Sequence, residues 1–289
     1  MYKIVPNSKN IQCSSTMNRW ELRTDGNEFI GCFAREEIAK EVREALEKYR
    51  QEEIKEINLF SWYDAKKEQK VLSFNDVPAR FAWIPPGSFV MGDEVYGQRH
   101  ITTQGFWMQT TPVTQEQWFA IMQNNPAYFV SSGPTAPVEN VSFTDVQEFI
   151  RRVGHVSLPS EAEWEYACRA GSTTKYHFGD DPDLLQEYAW YDKNAGSTTH
   201  SVAQLKPNTW DLYDMHGNVW EWCQDHWSDT HEGANADGIA RSIPNDNIRE
   251  RVIRGGSWHD YARNCRAVSR HGFMSSNRNG DLGFRLMFY

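Results

Sequence analysis

Two regimes of hydrophobic spacing divide this chain. In residues 35–56, Ile38, Val42, Leu46 and Tyr49 recur at i, i+4, i+8 and i+11, with Glu, Lys and Arg on the other faces. That spacing predicts an amphipathic helix. Ahead of it, residues 19–24 and 27–33 flank Asp25-Gly26, a favoured two-residue turn, so a β-hairpin is expected there. From about residue 80 the regularity breaks up. Residues 81–92 form a short apolar run interrupted by Pro and Gly, which predicts an interrupted strand. Short helices are expected over 114–122 with Thr114 as cap, over 142–152 with Ser142 or Thr144 as cap, and over 159–169 with Pro159 at the start. Beyond residue 171, Gly, Asn, Asp, Ser and Thr surround single aromatic residues, the pattern of turns. The reading is therefore a small N-terminal α+β segment, residues 1–79, followed by a coil-rich α+β domain over 80–289. The first segment is either a packing appendage or a docking module for a partner.

Composition sharpens this picture. The 289 residues carry 30 basic and 39 acidic side chains, a net charge of −9. An acidic chain is a poor ligand for nucleic acid or an anionic membrane. No run of 18 apolar residues is present, so no membrane span is expected. The first residues lack an apolar signal core. Five cysteines without a C-x-x-C pair point to reduced thiols. Together these place the protein in the cytoplasm as an expectation. The unusual feature is 12 Trp, 12 Tyr and 15 Phe embedded in polar sequence. Large rings spread this way suggest a fold pinned by aromatic anchors.

Seven ordered stretches carry a resemblance: Pro86-Gly-Ser-Phe-Val-Met-Gly92, Thr111-Pro-Val-Thr-Gln-Glu-Gln-Trp118, Pro137-Val-Glu-Asn-Val-Ser142, Leu158-Pro-Ser-Glu-Ala-Glu-Trp-Glu-Tyr-Ala-Cys-Arg-Ala-Gly171, Leu212-Tyr-Asp-Met-His-Gly-Asn-Val-Trp-Glu-Trp222, Arg254-Gly-Gly-Ser-Trp258 and Gly283-Phe-Arg285. In order and spacing they resemble the formylglycine-generating-enzyme (sulfatase-modifying factor) family, over roughly residues 80–289. The resemblance implies a C-type-lectin-like fold. That fold hosts both enzymes and binders, so function has to be argued from the site.

The oxidases of that family hold copper between two thiolates, a soft-ligand site suited to Cu(I). By resemblance the two cysteines follow the Gly-Gly-Ser-aromatic motif, five residues apart. Here the second position is Cys265 and the first is Asp260. A carboxylate is a hard ligand, so no copper is expected, and Cys265 also reads as a buried apolar residue. Cys265 is the catalytic candidate if the chain is a formylglycine-generating-type oxidoreductase. A second branch, the iron-dependent sulfoxide synthases, places histidine ligands partly on an added helical domain; residues 1–79 are too short for one and contain no histidine.

The tail points elsewhere. Lys, Glu and Gln make up 46 residues of the chain, and simple proportion predicts about six among the last 36, yet there are none. Between anchors at Arg254-Gly-Gly-Ser-Trp258, Arg266-Ala267, Arg270 and Gly283-Phe-Arg285 stand His259, Asp260, Tyr261, Ser269, His271, Gly272, Phe273, Ser275, Ser276, Asn277, Asn279, Gly280 and Asp281. Changing either adenine of an Asn codon yields residues of this kind and never Lys, Glu or Gln. The segment resembles the variable region of proteins diversified by diversity-generating retroelements, many of which use this fold. The resemblance implies a non-catalytic binding protein whose residues 254–285 form a variable ligand-binding region for a protein or other macromolecule. Tyr and Phe anchors with short polar neighbours suit such a surface and lose little rotamer entropy. Trp258 and Phe284 are expected to be buried, Tyr261 and Phe273 exposed, and the arginines paired with carboxylates or carbonyls. A family member with some other structural or regulatory role is the remaining reading.

Residues 214–221 resemble the family's structural calcium loop. Carried across, Asp214 and Glu221 would supply carboxylate oxygens, and Gly217 and Val219 backbone carbonyls, hard ligands suited to Ca²⁺. A hydrogen-bonded turn without metal stands beside that reading. Neither a phosphate-binding loop nor a dinucleotide glycine motif is present.

Overall fold

A computed structural model describes the backbone of residues 2–6, 20–24, 29–33 and 63–64, and residues 69–95, 97–232, 234–242 and 250–289 in full. The chain divides into two compact units, residues 1–59 and 60–289. In the first, β1 (Tyr2–Pro6), β2 (Trp20–Thr24) and β3 (Phe29–Phe33) form an antiparallel sheet in the order β1-β2-β3. β2 and β3 pair with Trp20 opposite Phe33, as the hairpin pattern predicts, and β1 adds a strand the pattern did not signal. The turn at Asp25-Gly26 and the helix expected over 35–56 lie outside the described residues.

The expected boundary at residue 79 is corrected by the structure. β5 (Gln69–Phe74) and β6 (Val77–Ile84) pair through six residues, so 69–79 belong to the larger unit. Asn75 and Asp76 turn between them with φ of 47° and 72°. Two left-handed residues in sequence match the twist of a tight hairpin, and Asn and Asp tolerate that region best after Gly.

With β4 (Tyr63–Asp64), β9 (Phe106–Gln109) and β14 (Met287–Phe288), these strands make a five-stranded antiparallel sheet in the order β14-β9-β6-β5-β4. The interrupted apolar run is two strands: Pro85-Pro86 ends β6, and β7 (Gly87–Met91) pairs with β8 (Arg99–Thr103). A four-stranded sheet, β12-β11-β10-β13, comprises β10 (Trp220–His226), β11 (Glu250–Arg254), β12 (Arg270–Met274) and β13 (Leu282–Gly283). Only the β10–β13 pair in it is parallel.

Among the described residues, all three α-helices start on a capping box. Thr114 caps α1 (Gln115–Met122), Ser142 caps α2 (Phe143–Val153) and Ser160 caps α3 (Glu161–Arg169). Each cap oxygen accepts the amide three residues on, and that residue's side chain returns to the cap amide. Caps of this kind contribute about 1 kcal/mol each. Helices of eight to eleven residues are too short to persist alone, so packing must hold them.

Aromatic rings supply much of that packing. Trp118 stacks on Phe149 at 5.3 Å, and Phe284 meets both edge-on. Trp164, Tyr166, Met215, Cys223 and Val252 build a second cluster between α3 and the four-stranded sheet. Among the described residues, no helix is long and apolar enough to cross a membrane.

Candidate functional site

The C-terminal segment is fastened from below by buried ion pairs. α3 is buried along its whole length although it carries three glutamates. Their charges are answered mainly from the tail. Arg270 forks onto Glu161 at 2.6 and 2.8 Å, and Arg254 pairs with Glu161 at 3.2 Å and with Glu165. Arg285 reaches Glu221 with two bonds of 2.7 Å and donates to the carbonyls of Gln109 and Tyr213. The planar guanidinium matches a carboxylate with two parallel bonds, which fixes orientation as well as charge. The arginine partners foreseen for the tail are therefore α3 and β10. Nearer the surface, Arg278 bonds Asp145 at 2.8 Å.

Two glycines let the tail sit this close. A Cβ at Gly283 would lie 2.4 Å from the Val138 carbonyl oxygen. Gly256 has φ of 76°, and a Cβ there would lie 2.7 Å from the Cys265 Sγ. Both clashes fall on the fixed framework, so the motifs Arg254-Gly-Gly-Ser-Trp258 and Gly283-Phe-Arg285 each combine an arginine clamp with a close approach.

Over this framework β12 alternates. Arg270 and Gly272 face Trp227: the guanidinium lies 4.3 Å from the ring centre, and a Cβ on Gly272 would meet the ring at 2.5 Å. His271 and Phe273 face the other way, onto the indoles of Trp220 and Trp222. His259, Tyr261, His271, Ser276, Asn277 and Asn279 are exposed, and Asp260, Gly272, Phe273, Ser275 and Gly280 are half-buried. Phe284 is buried as expected. Trp258 is not: it stands half-buried and donates its Nε1–H to the Gly280 carbonyl.

Four of the expected surface positions are corrected: Asp281 is buried, Phe273 is half-buried against Trp222 rather than exposed, and Ser269 and Gly272 are drawn in. Ser269 is buried and its hydroxyl donates to the Arg263 carbonyl. Gly272 has no room for a side chain unless Trp227 moves. Both lie beside Arg270, whose clamp on Glu161 draws the chain inward.

Asp260 accepts bonds from Trp220 Nε1 at 2.8 Å, Ser257 Oγ at 2.6 Å and Asn264 Nδ2 at 2.9 Å. Cys265 is wholly buried at the end of a 3₁₀ turn, Ala262–Cys265. Burial, reinforced by the Asp260 charge, pushes its thiol well above the usual range. One thiol, with a carboxylate already holding three donors at the other position, does not make the donor set of a bis-thiolate copper centre.

The calcium donor set does not fit as arranged either. Glu221 is fully buried and gives its oxygens to Arg285 and to Trp164 Nε1. A cation on that carboxylate would compete with the guanidinium. Asp214 accepts the Ala203 amide at 2.9 Å and Asn218 Nδ2 at 3.3 Å, and burial raises its carboxyl above the usual range. Gly217 and Val219 are the turn residues between these two carboxylates.

Sequence reasoning missed the groups that approach the tail from elsewhere. Tyr128 and Phe129, in the loop after α1, meet Trp258 and Asp281 around a cavity of about 440 Å³. Phe129 and Trp258 touch edge to face at 5.2 Å. Behind the loop, Glu139 is buried and accepts the amides of Tyr128 and Phe129 at 3.0 and 2.7 Å. The acidic residue in Pro137-Val-Glu-Asn-Val-Ser142 was the signal available.

Comparison with known proteins agrees with this architecture. The description of the matching family model is sulfatase-modifying factor enzyme 1-like domain, and it covers residues 69–288. The formylglycine-generating enzyme of Streptomyces coelicolor is 33% identical over 173 residues, 54% of this chain and 54% of that enzyme. The chain thus spans about half the length of that relative. Among solved structures, Treponema denticola variable protein 1 superposes with a TM-score of 0.69 at 28% identity, covering 76% of this chain and 98% of the other. PvdO from Pseudomonas aeruginosa gives 0.66 at 26% identity, covering 75% and 97%.

Proposed function

The chain belongs to the sulfatase-modifying factor enzyme 1-like family, and on that premise we propose that it is a non-catalytic member that binds a protein or other macromolecule through residues 254–285. The observation that carries this reading is the division of labour in the tail. Arg254, Cys265, Ala267, Arg270, Phe284 and Arg285 are buried and hold the fold, while His259, Tyr261, His271, Asn277 and Asn279 between them are exposed. Exposed positions outside the buried clamps and clusters can change without unfolding the scaffold. The likeness to a solved variable protein over nearly its whole length supports the same reading. So does the absence of Lys, Glu and Gln from the tail, which fits exchange through adenine positions of Asn codons.

The test is genetic. The flanking DNA should hold a second copy of the last roughly 100 bases, differing almost only at adenines, beside a reverse transcriptase gene. Absence of both would overturn the diversification. The relatives that are formylglycine-generating enzymes support a second reading, oxidation through Cys265. Stoichiometric Cu(I) uptake that is lost in Cys265→Ala would select it.

A further inference from the structure

We propose that the cavity walled by Tyr128, Phe129 and Trp258 takes a cationic side chain, a lysine or arginine of the bound protein. This deepens the binding reading and rests on it. Three rings from two distant stretches of chain border the space. Tyr128 and Phe129 meet edge to face at 4.9 Å, and Trp258 closes the other side against Phe129. Asp281 lines the same cavity with its side chain 9% exposed. Its Oδ2 lies 3.4 Å from His259 Nδ1 and 3.4 Å from Ser257 Oγ, both long for a carboxylate's bonds. Asp260 shares Ser257 with it, and a ligand atom from each of His259, Asp260 and Asp281 lies within 4.8 Å of the others.

Charge balance gives the sign of the ligand. Elsewhere in the domain the buried glutamates Glu161, Glu165 and Glu221 face an arginine, and the buried Glu163, Asp214 and Asp225 are held by amide or hydroxyl donors within normal hydrogen-bond reach, whereas the side-chain donors to Asp281 stand off at 3.4 Å. Among the described residues, Asp260, Asp281 and Glu139 have ion pairs with neither lysine nor arginine; His259 is the one basic partner, on Asp281. Burial holds the Asp281 and Glu139 carboxyls above their usual range, Glu139 at about 7, as expected of acids that lack a counter-cation. An alkyl-ammonium or guanidinium would gain from the Asp281 carboxylate and from the ring faces together. A bare divalent ion would use the acids and leave the aromatic walls without a role. A cavity of about 440 Å³ has room for a long basic side chain and its stem.

The experiment uses the full chain and small probes. Nα-acetyl-arginine amide is titrated while tryptophan emission is followed, with Nα-acetyl-citrulline amide as the uncharged isostere. Saturable binding is expected for the arginine probe, at least tenfold weaker for citrulline, and at least tenfold weaker in Asp281→Asn. Because Asp281 is buried, Tyr128→Ala serves as a second variant: Tyr128 is 74% exposed, so the fold survives its loss and affinity should still fall. Equal binding of the two probes, no saturation, or displacement of the arginine probe by lower concentrations of calcium or zinc would each overturn the proposal. Failure here is distinct from failure of the binding reading. A partner whose affinity depends on His271 and Phe273 but not on Asp281 would keep that reading while removing this one.

Discussion

Replacing Glu221 by Gln removes the anion from the Arg285 pair while leaving the shape nearly intact. Both residues are fully buried, and two bonds of 2.7 Å join them. Gln has one oxygen, so at least one guanidinium N–H would face an amide N–H₂. Arg285 would keep the Gln109 and Tyr213 carbonyls, at 3.1 and 2.9 Å, and at most one bond to the new amide oxygen. An uncompensated buried charge costs about 3–5 kcal/mol. In a unit of this size each kcal/mol moves the midpoint by about 2–4 °C, so Tm should fall by roughly 6–20 °C. Calorimetry in EDTA and in millimolar calcium reads the effect. The Glu221→Leu, Arg285→Leu double variant should be less destabilised than the sum of the single variants, because neither charge is then stranded. A loss below about 1 kcal/mol in Glu221→Gln would refute the buried pair. A calcium-dependent rise in wild-type Tm that vanishes in the variant would make Glu221 a metal ligand instead.

Three further outcomes are expected. Gly272→Val drives a side chain into the Trp227 ring and should cost about 1–3 kcal/mol, whereas His271→Ala should stay within about 1 kcal/mol; comparable losses in urea melts would contradict the alternation of β12. Glu139 carries a pKa raised from 4.5 to about 7, mainly by burial. The folded state therefore holds more protons than the unfolded chain between those values, and stability should decline as pH rises from about 4.5 to about 7. Glu139→Gln should flatten that decline, and an unchanged slope would reject the assignment. Cys265 should resist iodoacetamide at pH 8 in the native protein and react only after unfolding, since its thiol is buried and protonated; rapid native labelling would count against this.

The local grammar of this fold was legible. Thr114 and Ser142 announced two helix starts because a cap is a contact within four residues, while the third was expected at Pro159 and begins after its cap, Ser160. That tail arginines would meet carboxylates followed from charge and burial, but their partners did not: Arg285 and Glu221 are 64 residues apart, and Arg270 and Glu161 are 109 apart. The domain boundary was misplaced because β5 and β6 join through Asn-Asp, a weaker turn signal than Asn-Gly. The cavity was hidden for the same reason as the ion pairs: Phe129 and Trp258 carry no shared spacing. Gly272 looked like an exchangeable small residue, and only the position of Trp227 shows that it is required.

The alternation along β12 also limits how this surface can change. Substitution at His271 or Phe273 alters one face and leaves Arg270 on Glu161 and Gly272 under Trp227. An inserted or deleted residue would transpose the two faces, because side chains in a strand repeat every second position. The guanidinium would turn toward the solvent side, and a bulky group would be forced against the indole. Variation here is therefore confined to fixed length, unlike that of a binding loop, which can grow or shorten.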